Sequence, residues 1–211
     1  MLRTGVTLLT AFALLVVPAE AQELERPDDW KVRFDNPGAS EADLEMFVAM
    51  PPGWHITTGP AGIFWAPDQT ASGDFRLEME VFLFDPQGRR EAFGMFAGGR
   101  DLEGPGQSYT YFLLRDGGQY IIKRRQGSEA PTVRAWTGHD AVNAYADRGD
   151  DASVRNVLAV EAQGDTVTFL VNGTEVASLP RSAVPVDGVY GIRVNHALNV
   201  HVSRLEVTPL E

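Results

Sequence analysis

The chain has 211 residues, is 44% apolar, carries a formal charge of −11 at neutral pH and contains no cysteine. That length and apolar content support one sizeable core and a single globular domain. The missing thiols exclude thiol catalysis, thiolate metal sites and a disulfide scaffold, and the anionic balance disfavours nucleic acid and, away from a local basic patch, polyanionic glycans.

Residues 1–21 have the layout of a cleavable secretory signal: Arg3, an apolar run from Val6 to Val17, Pro18, and Ala19 and Ala21 flanking Glu20. The run is shorter than the roughly 18 apolar residues that a span requires, so no membrane span is expected once the signal is removed. The expectation is therefore an exported protein, periplasmic or secreted. Nothing in the sequence indicates its oligomeric state.

Residues 22–52 form a polar N-terminal segment with a brief alternation at Trp30, Val32 and Phe34, which predicts an edge strand. From Gly53 to Glu211 the dominant signal has a period of two. Its clearest stretch is DFRLEMEVFLF, where Phe75, Leu77, Met79, Val81 and Leu83 share one face and Arg76, Glu78, Glu80, Phe82 and Phe84 share the other. This strand is placed in the middle of a sheet.

Turns follow at short intervals: Asp85-Pro86-Gln87-Gly88, Asp116-Gly117-Gly118, Gln163-Gly164-Asp165 and Asn172-Gly173. Asn-Gly between TVTFLV and TEVASL is a strong hairpin signal, because both central residues of a type I′ turn need positive φ. The Asp-rich connection between Trp136 and Arg155 predicts a short helix at Ala141 to Tyr145. In the last strand the apolar phase shifts from Val200 and Val202 to Leu205 and Val207, which predicts a bulge near Ser203-Arg204. About ten to twelve strands without a βαβ rhythm give an all-β fold, a two-sheet antiparallel β-sandwich of jelly-roll form.

The stretches GQSYTYFLLRDGGQYIIKRR, TVTFLVNGTEVASLP and DGVYGIRVNHALNVHVSRLEV resemble the concanavalin A-like lectin and glucanase superfamily. In particular, they resemble its laminin-G-like and 3-keto-disaccharide-hydrolase-like exported bacterial domains. The likeness rests on the Val171-Asn172-Gly173 hairpin, the strand from Asp187 to Val194 and the final V-x-V-x-x-L-x-V strand, and it covers roughly Gly53 to Glu211. It implies a curved sandwich whose concave face binds sugars in many members, in some with calcium at the rim. Fold kinship alone carries no activity.

Candidate chemistry lies on both kinds of strand face. Glu78 and Glu80, two apart on one strand with Arg76 beside them, form the carboxylate pair that a glycosidase uses as acid and base or nucleophile. The glucanase motif Glu-x-Asp-x-x-Glu, counted from Glu78, meets Glu80 and Leu83 here, so one acid is missing; an exposed, salt-bridged face is the competing reading.

Tyr109 and Tyr111, with Lys123 and Arg125 across the Asp116-Gly117-Gly118 turn, form a preferred sugar-binding patch, bordered by the Gly98-to-Gly106 loop and by Trp136 and His139. Against this stands a packed tyrosine layer with the cations solvated. Trp54 and Trp65 read as core residues.

His196 and His201 flank the turn HALNVH without further ligands, so no metal site is assigned. Asp147, Asp150 and Asp151 lack EF-hand spacing, so calcium has no clear motif and no cofactor is expected. Arg148-Gly149-Asp150 and Asn172-Gly173-Thr174 match adhesion and glycosylation motifs in turn-forming contexts. Serine-hydrolase, nucleotide-binding and zincin motifs are absent.

Three functional readings remain open from the sequence. The first is a glycan-binding module that takes an oligo- or polysaccharide, and the second a glycoside-cleaving enzyme of the keto-disaccharide type. The third is a non-catalytic envelope domain that contacts other proteins.

Overall fold

The computed structural model describes residues 24–211; the expected signal segment 1–21 lies outside them. The strands, in chain order, are β1 (Lys31–Phe34), β2 (Met46–Ala49), β3 (Trp54–Thr57), β4 (Gly62–Trp65), β5 (Thr70–Ala71), β6 (Phe75–Phe84), β7 (Ala92–Arg100), β8 (Ser108–Arg115), β9 (Gln119–Gln126), β10 (Thr132–Gly138), β11 (Ser153–Gln163), β12 (Thr166–Val171), β13 (Thr174–Pro180), β14 (Gly188–Val194) and β15 (Asn199–Pro209). They exceed the expected number because the first five strands span only two to four residues each.

The strands form two antiparallel sheets packed as a sandwich. One has eight strands in the order β1-β4-β14-β7-β8-β9-β10, with β5 pairing to β14; the other has seven in the order β13-β12-β11-β6-β15-β3-β2. The N-terminal segment thus supplies an edge strand to each sheet. β6 is the central strand of its sheet, and its odd residues from Phe75 to Leu83 are at most 2% exposed. They meet Phe93, Met95, Phe112, Ile122 and Ile192 of the eight-stranded sheet in the inter-sheet core.

The turn chemistry is as the residue types dictate. Asn172 and Gly173 both have positive φ, 50° and 81°, in the β12–β13 hairpin. The Asn172 side chain accepts from the Val157 N–H and donates to the Ala141 carbonyl and Asn156 Oδ1, so the asparagine of the glycosylation motif is committed to the fold.

The bulge in β15 is present: Val202 pairs with Val81 and Arg204 with Glu80, leaving Ser203 as the extra residue. The β2–β3 turn runs against this bulge. A Cβ on Gly53 would lie 1.9 Å from the Val202 carbonyl oxygen, so only glycine allows that approach.

The connection after β10 differs from expectation. Its helical turn spans Tyr145–Arg148, not Ala141 to Tyr145. The upstream backbone is held in turns by side chains, with His139 Nδ1 accepting from Ala141 N–H, Asp147 from Ala144 N–H and Asp116 from Tyr145 N–H.

The Gly98-to-Gly106 stretch is likewise folded down. Gly98 and Gly99 belong to β7, Leu102 is buried, and Arg33 donates to the carbonyls of Leu102 and Gly104 at 2.7 and 2.6 Å.

Candidate functional site on the sheet faces

The two candidate groups lie on opposite faces of the sandwich. On the eight-stranded sheet, β8 and β9 pair Tyr109 with Arg125 and Tyr111 with Lys123, so these four residues share the outward side. At the tyrosines that side is packed shut. Tyr109 and Tyr111 are 2% and 4% exposed in a second apolar layer with Ile63, Trp65, Phe96, Leu113 and Ile121.

At its centre lies Arg193, which donates to both oxygens of Asp35, with one nitrogen 3.3 Å from the Tyr109 hydroxyl and its guanidinium 4.8 Å over the Tyr111 ring. Arg125 adds a second cation on Asp35 at 2.8 Å. Burial pushes the Asp35 carboxyl upward, but the hydrogen bond and charge of Arg193, the charge of Arg125 and a smaller contribution from His196 outweigh it and hold it below the ordinary range.

The tyrosine rings are therefore supports and present no face for stacking. Trp136 is half-buried with the Arg115 guanidinium 4.0 Å over its ring, which occupies its stacking face. His139 closes its own turn. Lys123 is half-buried, and its side chain has no hydrogen-bond or ion-pair partner among the described residues. Arg193, unflagged by the sequence because its neighbours Ile192 and Val194 read as plain strand, organises this layer.

On the seven-stranded sheet the outward row of β6 runs Arg76, Glu78, Glu80, Phe82, Phe84, polar at one end and aromatic at the other. At 3.4 Å per residue this row spans ~27 Å. Glu78 accepts from Arg76 and from Arg204, each at 2.5 Å, and Arg76 also pairs with Glu161. Glu80 accepts from Ser203 at 2.7 Å and from Arg155 Nε at 2.7 Å. Burial raises the Glu80 carboxyl, but hydrogen bonds from Ser203 and Arg155 and the charges of Arg155 and Arg204 overcome it and hold Glu80 below its ordinary value.

Beyond Glu80 the face becomes aromatic. Phe82 pairs with His201, and His201 with His55, so three rings lie side by side across β6, β15 and β3. Ring centroids are 6.2 Å apart for Phe82 and His201, 6.0 Å for His201 and His55, and 5.4 Å for His55 and Phe84.

His201 Nε2 lies 3.0 Å from the Pro52 carbonyl, which can only accept, so that nitrogen donates, and Nδ1 is buried without a partner. Burial and the neighbouring His201 hold His55 below the ordinary imidazole range, with Asn199 opposing.

His201 thus stands beside His55. His196 does not approach it, because β14 and β15 belong to different sheets; His196 Nδ1 accepts from the Ala61 N–H instead. No cluster of three or more metal-ligating side chains exists among the described residues.

Two depressions sit on this face. One, of about 490 Å³, is lined by Met50, Pro51, Pro52, His55, Phe82, Phe84 and His201, with Glu80, Ser153 and Ser203 at its rim. The other, of about 500 Å³, is lined by Arg76, Glu78, Arg155, Arg204, Asn143 and the Asn172-Gly173 turn. The Glu80–Arg155 pair joins them.

This layered arrangement has structural counterparts. The fold is that of the concanavalin A-like jelly roll. The carbohydrate-binding module CBM66 from Bacillus subtilis superposes with a TM-score of 0.60 at 13% identity, over 85% of this chain and 94% of that one. The Bacteroides ovatus mixed linkage glucan GH16 in complex with a G4G4G3G product gives 0.60 at 9% identity, over 88% and 97%. A Bacillus subtilis protein with a galectin-like fold gives 0.59 at 12% identity, over 86% and 89%. No protein-family profile and no curated protein matches the sequence.

Concanavalin A-like sandwiches offer two outward sheet faces. In this one the outer side is filled at Tyr109, Tyr111 and Arg125 and keeps a depression of about 610 Å³ only towards the β1 edge, while the strip with Arg76, Glu78 and Glu80 is open.

Proposed function

We propose that this chain is a non-catalytic glycan-binding sandwich that works outside the cytoplasm and takes its sugar on the outer face of the seven-stranded sheet. The observation that carries the reading is the row on β6 and its neighbours, where aromatic rings adjoin carboxylates and guanidiniums in an open depression. Rings suit the C–H face of a pyranose, and planar charged groups suit its hydroxyls. Solved structures of this fold include a carbohydrate-binding module and a glucan-bound GH16, which supports a sugar as the ligand class.

A binding role is preferred to hydrolysis. A general acid must hold a proton at working pH, which requires a raised carboxyl pKa. Glu80 is held in the opposite direction, and both oxygens of Glu78 are occupied by guanidiniums. In this reading Glu78 and Glu80 orient hydroxyls, braced by Arg76 and by Arg155 respectively, while Tyr109, Tyr111, Lys123, Arg125, Trp136 and His139 stay outside the contact area.

The balance of charge on the strip, where Arg76, Arg155 and Arg204 face Glu78, Glu80, Glu161 and Glu206, favours a neutral glycan over a polyanionic one. The test is a glycan array probed with the wild-type protein, Arg155→Ala and Tyr111→Phe. Binding that is lost in Arg155→Ala and kept in Tyr111→Phe supports the reading. The reverse pattern, or an array without a hit, refutes it.

A further inference from the structure

The two depressions on the seven-stranded sheet differ in chemistry, and the difference specifies more than a sugar. The polar one offers guanidinium and carboxylate groups from Arg76, Glu78, Arg155 and Arg204. The other is floored by Phe82, Phe84, His55 and His201 and walled by Met50, Pro51 and Pro52 on the turn that Gly53 seats against the β15 bulge.

Few of its polar atoms are free to meet a ligand, because the unpartnered Nδ1 atoms of His55 and His201 are buried. Ser203 donates to Glu80, Glu80 accepts from Arg155, and the His201 N–H is spent on the Pro52 carbonyl. A pyranose lying wholly in this depression would leave hydroxyls unpaired against apolar walls, which is unfavourable. An apolar body loses nothing there, and the depression would otherwise expose aromatic surface beside a charged strip.

We infer that the ligand of this face is a glycoside with an apolar aglycone. The alkyl or aryl part occupies the Phe82–Phe84–His55–His201 depression, and the sugar extends over Glu80, Arg155 and Glu78. The inference rests on the glycan-binding reading and narrows its ligand class. Continuity of the two depressions through the Glu80–Arg155 pair sets the order of the two parts, because the linking oxygen then falls beside the hydrogen-bonding groups at the boundary.

The test is a titration of the full chain with matched methyl and octyl glycosides of glucose, galactose and mannose, with the octyl members kept below micelle formation and 1-octanol as the sugarless control. The readout is the imidazole resonances of His55 and His201. The expected result is at least tenfold tighter binding of one octyl glycoside than of its methyl partner, with 1-octanol far weaker.

Phe82→Ala should abolish that ratio, and Met50→Glu, on the turn and outside the sheet, should do so without touching the sheet. Arg155→Ala should weaken both members of the pair equally. Equal affinity for the methyl and octyl members, or binding of 1-octanol as tight as that of the glycosides, would overturn the inference and leave the glycan reading standing. No binding by any glycoside here, together with an array without a hit, would remove both.

Discussion

Replacing Asp35 by Asn tests whether the outer layer of the eight-stranded sheet is a locked structural element. Asp35 is the one carboxylate that meets both Arg193, whose side chain is 5% exposed, and Arg125, at 12%. The change removes the negative charge and leaves two guanidiniums facing each other, one of them buried. Breaking a buried ion pair from one side costs roughly 3–5 kcal/mol.

Asp35 itself is 32% exposed, and the asparagine carbonyl still accepts one hydrogen bond, so about 2–4 kcal/mol is expected. With a urea slope of about 1–3 kcal/mol/M, the unfolding midpoint should fall by roughly 1 M or more at unchanged slope. Adding Arg193→Met to Asp35→Asn should recover part of the loss, because the buried cation has then gone too. A loss under about 1 kcal/mol, or a double variant no more stable than the single one, would refute the reasoning.

Further outcomes follow from the same contacts. Glu80 titrates below its ordinary value of 4.5 in the fold, so the stability its ionised form contributes is complete above that value and lost as pH falls through the lowered one; Glu80→Gln should flatten this acid limb in urea titrations from pH 5 to 3 and cost about 1 kcal/mol at neutral pH. His55 is lowered from 6.5, so below that pH the unfolded chain takes the proton first and stability falls until the folded value is reached; His55→Gln should reduce the difference between thermal midpoints at pH 7.5 and 5.5. Asn172→Ala forfeits three side-chain hydrogen bonds at a residue with φ of 50°, and chemical denaturation should show a loss of about 2–3 kcal/mol.

Much of this arrangement was legible in the residues. Alternation in DFRLEMEVFLF places β6 centrally, because its apolar row must be buried and its other row must not. That row already contains Arg76, Glu78, Glu80, Phe82 and Phe84. The apolar phase slip at Ser203 identifies the bulge, since no regular strand can keep both Val202 and Leu205 inside.

What the sequence does not encode locally is partner identity across strands. Tyr109 and Tyr111 alternate like exposed platform residues, yet Arg193 and Asp35, distant in sequence, neutralise and bury that face. His55 and His201 meet only because β3 and β15 are neighbours, and Pro51 and Pro52 become a wall only because Gly53 lets the turn press on the bulge. His196 and His201 flank one turn yet do not pair for a related reason: sequence proximity does not decide which sheet a strand joins.

The most direct test of which face binds is an amide chemical-shift map of the full chain, titrated with the strongest hit from the glycan array. Shifts should concentrate at residues 55, 80–84, 153–155 and 201–204. Shifts concentrated instead at residues 109–111, 121–125 and 136 would contradict the account.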